Sequence, residues 1–185
     1  MDNDPTYLRI PRVPLWRRGC AFGIDSAIAW FLCAMLGGTN GFAQFVAFAL
    51  AWLAMRVVVT ASNYGQSPGR WALDMRVIEN RYNRTPGLVE LLKREAISGL
   101  CAFWALTGFF TLASGIFSLD SRNAFYLLLF LPLAVDVGIA WFDPLDPSAF
   151  HDRIAQTLVV ATRRGYSLDL KVKKWVALIR QNMKQ

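Results

Sequence analysis

The sequence predicts an all-α membrane protein with four transmembrane helices, both termini in the cytoplasm, a small cytoplasmic β element and amphipathic helices at the membrane interface. The first observation behind this prediction is a set of four apolar runs, at residues 19–36, 41–61, 96–117 and 124–142. Each run is about 18–22 residues long, and a helix rising ~1.5 Å per residue needs ~20 residues to cross a hydrocarbon core of ~30 Å. A net charge of +7 together with 55% hydrophobic residues is also unusual for a soluble domain.

The second observation is the position of the basic residues. All but one of the 20 Lys and Arg residues lie on one side of the four runs, the exception being Arg122. Short loops rich in Lys and Arg stay in the cytoplasm, so both termini and the central loop are predicted to be cytoplasmic. Arg56 falls near the cytoplasmic end of the second run, where we expect its long side chain to extend to the interface. A bacterial plasma membrane is the default location, and a thylakoid-type internal membrane would give the same pattern.

The chain divides into a predicted transmembrane domain at residues 1–163 and a basic C-terminal helix at residues 164–185. Positive charge spread over juxtamembrane positions predicts contact with anionic lipid headgroups, at ~1 kcal/mol per basic residue, and not with nucleic acid. In the C-terminal helix Trp175 is the expected interfacial anchor on the apolar face. The expected headgroup contacts are Lys171, Lys173, Lys174 and Arg180. A docking arm for a partner protein is the alternative interpretation.

The central loop is predicted to contain a short strand at residues 75–80. Residues 157–162 (TLVVAT), which are short and β-branched, are its expected partner beneath the membrane. Residues 85–95 resemble a short amphipathic helix leading into the third run, with Thr85 as its cap and Pro86 at its first position. Three leucines are expected on its lipid side: Leu88, Leu91 and Leu92.

Two acids interrupt the apolar runs. Asp25 lies in the first run and Asp136 in the fourth, and an intramembrane Asp costs ~2.5–3.5 kcal/mol on insertion scales. Each could bind a proton, because burial raises a carboxyl pKa. The two could instead form a cation site if they converge with hydroxyl groups from Ser26, Thr107, Thr111 and Ser114. Pro132 would kink the fourth run just before Asp136. The alternative is a structural hydrogen bond between helices, at ~0.6–2 kcal/mol.

Catalytic and cofactor signatures do not occur in the sequence. It has no phosphate-binding loop, no GxSxG motif, no HExxH motif and no dinucleotide fingerprint. His151 is the single histidine, and three separated cysteines (Cys20, Cys33 and Cys101) are expected to be packing residues. We therefore predict that the protein is not an enzyme and has no cofactor and no metal site.

Three ordered sequence blocks resemble the RDD family of small membrane proteins. The first is Arg18-x-x-Ala21-x-x-Ile24-Asp25, which opens the first run. The second is GQSPGR at residues 65–70, followed by MRVI at residues 75–78, where the family usually has GQTPGK-x5-RVV. The third is HDRIAQT at residues 151–157, which is similar to HDRLAGT. Asp74 replaces a usual small residue, and Gln156 replaces glycine.

The resemblance implies which residues give the family its name, one arginine and two aspartates. Carried over, the arginine is Arg18, the first aspartate is Asp25, and the second is Asp152, with Asp136 as a rival. Arg18 at the inner membrane edge and Asp152 just below it could form a bidentate pair that clamps the first span to the segment after the fourth.

Two functions follow as hypotheses. Transport has been associated with the family, including exchange of sodium and similar ions for protons. The resemblance therefore implies that the chain transports a monovalent cation or a proton, as a homo-oligomer. In this hypothesis Asp25 binds the ion and Asp136 assists. The alternative is a non-transporting scaffold or assembly factor that binds a larger membrane complex.

Overall fold

The computed structural model describes residues 13–36, 40–114, 125–143, 148–162, 167, 168 and 170–172. In chain order its elements are α1 (Leu15–Leu36), α2 (Gly41–Ser62), α3 (Pro68–Ala72), β1 (Met75–Glu79), α4 (Leu88–Ser114), α5 (Leu127–Phe142), α6 (Phe150–Ile154) and β2 (Thr157–Ala161). The α2 helix includes a π-helical segment, Ala54–Val59, and α5 opens with a 3-10 turn, Leu127–Phe130.

The three long helices α1, α2 and α4 pack together along an apolar, aromatic-rich core. Phe48 and Trp52 of α2 are fully buried and stack with ring centroids 5.5 Å apart. Trp30 of α1 stacks on Phe110 of α4 at 4.9 Å. Aromatic pairs of this kind contribute ~0.5–1.5 kcal/mol beyond the area they bury. Asn40 starts α2 by accepting a hydrogen bond from the backbone N–H of Phe42 at 2.9 Å.

Three of the four predicted spans are helices of membrane-spanning length and composition. In the described chain α1, α2 and α4 are long and apolar enough to cross a membrane, whereas α5 is a shorter apolar helix. Pro132 lies in the first turn of the α-helical part of α5, Leu131–Phe142, where a missing N–H costs nothing. The predicted kink at Pro132 falls where the 3-10 turn of α5 gives way to its α-helical part.

The predicted strand pair is confirmed. β1 and β2 form an antiparallel two-stranded sheet with Val77 opposite Val159. Its apolar face packs under α1, where Val77, Met75 and Ala21 belong to one buried cluster. The sheet therefore lies at the end of α1 that carries Arg17 and Arg18.

Two details of the interface helices differ from expectation. The helix predicted to start at Pro86 begins at Leu88 and continues without a break as α4. Leu91, which was expected on the lipid side, is fully buried, whereas Leu88 and Leu92 are exposed. Of the predicted C-terminal interface residues only Lys171 is described, and it is exposed. Trp175, Lys173, Lys174 and Arg180 lie outside the described residues.

Candidate functional site

A buried ionic network joins the ends of the helices above the β-sheet. We define it by nine residues: Arg18, Asp25, Arg56, Arg70, Arg94, Glu95, Asp136, His151 and Asp152. They come from α1, α2, α3, α4, α5 and α6, so the network connects all six of these helices. With His151 neutral, its four arginines balance its four carboxylates.

Asp25 is enclosed by donors from its own chain. Its exposed fraction is 0%. One carboxylate oxygen accepts from Arg56 Nη1 at 2.9 Å and from Ser67 Oγ at 2.6 Å, and the other accepts from the Gly69 backbone N–H at 2.7 Å. Donors from α2 and from the start of α3 thus occupy both oxygens of this carboxylate. Asp25 is thus the point where α1 is fastened to α2 and α3.

The second sequence block is folded to make these contacts. Ser67 caps α3, with its Oγ 3.4 Å from Arg70 N, and donates to Asp25 from the same hydroxyl. Gly69 has no side chain, and a Cβ there would overlap the Ala21 carbonyl oxygen of α1. Gly65 has a φ of +85°, which favours glycine, and its carbonyl accepts from Val77 N at 2.8 Å. The second block therefore packs α3 against α1 and against the β-sheet.

Arg56 lies inside the bundle. The prediction that its side chain extends to the interface is wrong, because Arg56 is buried and bonded to Asp25 and, through Nε, to Glu95 at 2.6 Å. Its guanidinium also lies 4.7 Å from the ring centroid of Trp52. The π-helical segment that carries Arg56 is a feature frequent at functional sites.

Glu95 is the centre of the network. It accepts from Arg56, from Arg70 Nη2 at 2.7 Å, from Arg94 Nη1 at 3.0 Å and from Ser98 Oγ at 2.9 Å. Glu95 is fully buried, so removal of any one of its arginine partners would leave uncompensated charge in the low-dielectric interior.

Asp152 is the centre of the second half of the network. It accepts from Arg94 Nε at 2.7 Å and from Arg18 Nη2, and Thr157 Oγ1 lies 3.5 Å away. Burial raises the pKa of Asp152, but Arg94, His151 and Arg18 outweigh burial and hold that pKa well below its ordinary value. The residues predicted as a clamp, Arg18 and Asp152, are therefore in direct contact through one Arg18 nitrogen.

Asp136 has a different partner from Asp25. One of its oxygens accepts from the His151 backbone N–H at 3.0 Å, and the other lies 2.6 Å from His151 Nδ1. His151 Nε2 is 3.4 Å from Asp152. The imidazole thus lies between two buried acids and links α5 to α6.

The two predicted ion-binding acids do not converge on a shared site in the described chain. Asp25 contacts Arg56, Ser67 and Gly69, and Asp136 contacts His151. The hydroxyls of Thr107, Thr111 and Ser114 bond to carbonyls of their own helix. The described residues contain no group of three or more His, Cys, Asp or Glu side chains arranged to hold a metal ion.

Sequence reasoning missed four of the nine network residues, Arg56, Arg70, Arg94 and Glu95, and gave no site role to His151. Apart from Arg18, the basic residues at the ends of the apolar runs fit contact with lipid headgroups equally well. The available signal was Glu95, an acid next to Arg94 at the edge of a run without any charge, because such a residue needs a partner if it enters the bundle.

Comparison with known proteins bears on the membrane interpretation. A model of the RDD family matches residues 12–156, a range that includes every residue of the ionic network. The search of curated proteins and the search of solved structures gave no match.

Proposed function

The chain belongs to the RDD family, and from this premise we propose that it is a membrane scaffold whose bundle receives a transmembrane helix of a partner protein. The observation that carries the proposal is an apolar groove of about 660 Å³ between α1, α4 and α5. Small residues of α1 lie along it, among them Gly23, Ala27 and Ala34.

The chemistry of the groove matches a helix as its occupant. In lipid, helices associate through close van der Waals packing, and small residues allow their backbones to approach. A Cβ on Gly23 would meet no atom within 4 Å, so this face of α1 is unoccupied by the described chain. Ser26, which is 5% exposed, also lines the groove, and its hydroxyl has no hydrogen-bond partner among the described residues. A polar group on an arriving helix would satisfy that hydroxyl.

The ionic network supports a structural role for Asp25. Each of its oxygens is taken by a donor of the same chain, and Arg56 stands where a transported cation would have to bind. A cation at Asp25 would have to break these contacts and approach a guanidinium, which is electrostatically unfavourable.

The test is a pair of tryptophan substitutions. Ala27→Trp places a large ring in the groove, and Leu50→Trp places the same ring on an exposed position of α2 outside it. The chain is extracted from its membrane in mild detergent and its migration is followed on native gels. We expect the wild type and Leu50→Trp to migrate in a larger complex and Ala27→Trp to migrate alone. A wild-type chain that migrates alone at every concentration excludes the scaffold.

Proton-coupled cation exchange is the second candidate, and the Asp136–His151–Asp152 arrangement favours it. The His151 imidazole contacts a carboxylate through each of its ring nitrogens, which is an arrangement suited to a proton relay. We expect a pH gradient to drive sodium uptake in proteoliposomes of the wild type, and Asp136→Asn to abolish it. The control, Glu79→Gln, alters only a surface ion pair. Absence of wild-type flux, or full flux in Asp136→Asn, excludes this mechanism.

A further inference from the structure

A second cavity, of about 250 Å³, lies against the ionic network. The network contributes to its wall only the side chains that carry nitrogen: Arg18, Arg56, Arg70, Arg94 and His151. None of the network's four carboxylates is among the described residues that line it. The balanced network thus presents its positive side to this cavity.

Arg70 is incompletely paired at this wall. It is 3% exposed, and its Nη2 donates to Glu95 Oε1 at 2.7 Å. Its Nη1 is buried and has no hydrogen-bond partner in the described part of the chain. Burial, and then the charges of Arg56 and Arg94, lower the pKa of Arg70 to about 9. A negatively charged ligand would accept the missing hydrogen bond from Arg70 Nη1. It would also offset the repulsion of Arg70 by Arg56 and Arg94.

The rest of the cavity wall is apolar. It is formed by side chains that include Phe22 of α1 and Leu133, Val137 and Ala140 of α5. A small inorganic ion would leave these residues without contacts, whereas an anionic group joined to a carbon chain would contact both walls. The volume is slightly below the ~300–1,000 Å³ usual for small-molecule pockets, which suits a headgroup better than a whole ligand.

We propose that this cavity binds an oxyanion of the phosphate or carboxylate type, with Arg70 as its principal donor. A guanidinium matches such groups because two parallel N–H donors meet two oxygens. The headgroup of an anionic phospholipid and free phosphate share this chemistry. The inference is independent of the groove that receives a partner helix, and it assigns a ligand of opposite charge to the cation expected from the sequence.

The experiment compares Arg70→Lys with Arg76→Lys. Arg70→Lys keeps the positive charge but removes the planar guanidinium group with its parallel N–H donors. Arg76→Lys makes the same change at an exposed position on β1. The thermal unfolding midpoint of the full chain is measured in nanodiscs of phosphatidylcholine, with and without phosphatidylglycerol. It is also measured in neutral detergent with inorganic phosphate, against chloride at equal ionic strength.

We expect an anion-dependent rise in the midpoint for the wild type and for Arg76→Lys. For Arg70→Lys the apparent affinity should fall about tenfold or more, as for loss of a hydrogen bond to a charged group. A response to phosphatidylglycerol alone identifies a lipid headgroup, and a response to phosphate as well identifies a site for free oxyanions.

A second variant decides the outcome if Arg70→Lys does not fold. Ala140→Leu fills the cavity from the apolar wall without changing a charged residue, and we expect it to lose the anion response. The proposal is overturned if the wild type responds to neither probe, or if Arg70→Lys or Ala140→Leu folds and responds as the wild type does.

Discussion

Single charged side chains hold this bundle together. In lipid there is no hydrophobic force between helices, so packing and polar contacts determine their association. Arg56 is the clearest case because it bridges Asp25 of α1 and Glu95 of α4 while it belongs to α2. The pairs have a high desolvation cost, so their effect lies less in net stability than in the penalty for breaking them.

Arg56→Met is therefore expected to destabilise the folded chain by about 3–5 kcal/mol, because two buried carboxylates lose their partner. The free energy of unfolding in detergent, from denaturant titration, measures the effect. Arg76→Met removes an exposed arginine and should change it by less than about 0.5 kcal/mol. Adding Asp25→Asn to Arg56→Met should recover part of the loss, because Arg56 is the network arginine that pairs with Asp25. Equal effects of Arg56→Met and Arg76→Met would contradict the role of the network.

Asp152 makes stability depend on pH in a defined direction. Its pKa is lower in the folded than in the unfolded chain, so it contributes stability that is fully present above the unfolded pKa of about 4 and is lost as the pH falls below that value. Asp152→Asn should lack this contribution. We expect the difference in unfolding midpoint between wild type and Asp152→Asn to be constant from neutral pH to about pH 5 and to shrink below pH 4. If the difference in unfolding midpoint did not change with pH, the loss of stability in Asp152→Asn would come from packing and not from the charge of Asp152.

Among the helices and turns, the contact of α3 with α1 depends on Gly69. Alanine normally stabilises a helix relative to glycine by up to about 1 kcal/mol, but a Cβ here would overlap the Ala21 carbonyl oxygen. We expect Gly69→Ala to destabilise the chain by about 1–3 kcal/mol, measured by thermal unfolding. Gly138→Ala in α5 is the control, since a Cβ there meets nothing within 4 Å. This variant should keep the stabilisation that comes from the higher helix propensity of alanine. A neutral Gly69→Ala would mean that α3 and α1 are less closely packed.

The turn before β2 contains a second backbone constraint. Gln156 has a φ of +51°, and its carbonyl accepts from Asn80 N at 2.9 Å. The RDD-family motif HDRLAGT has glycine at this position, and a positive φ favours glycine. Gln156→Gly should therefore stabilise the chain by about 1 kcal/mol, and Gln156→Val should destabilise it. Opposite shifts of the unfolding midpoint for the two variants are the expected result, and shifts of the same sign would contradict the strain argument.

Some elements could be predicted from the sequence, and others could not, for physical reasons. The long helices follow from the length of the apolar runs, and the β1–β2 pair follows from two short segments with β-branched residues. The position of Arg56 could not be predicted, because an arginine at the end of an apolar run fits a headgroup as well as a buried acid. Its acid partner Glu95 is 39 residues away in the chain, and only packing brings the two together. The separation of Asp25 from Asp136 is likewise a tertiary property.

At the scale of the whole molecule, the described residues divide into two zones, the buried ionic network and an exposed apolar surface. The network and the β-sheet lie at the end of α1 that carries Arg17 and Arg18, and large apolar side chains such as Phe31 and Phe109 are exposed farther along the long helices. Exposed residues of this kind are favourable only against lipid or another helix. The oxyanion cavity beside the network would then open near the cytoplasmic leaflet, where anionic headgroups are concentrated.

This arrangement depends on the orientation predicted from the basic residues, which labelling of single cysteines can measure. In a chain whose own cysteines are replaced by serine, Arg84→Cys places a thiol beyond β1, where the arginine side chain is 70% exposed. Gly41→Cys places one at the start of α2, at the other end of the bundle. A membrane-impermeant maleimide should label Arg84→Cys only from the cytoplasmic side and Gly41→Cys only from the opposite side. The reverse pattern would place the network, and the anion cavity beside it, at the outer leaflet.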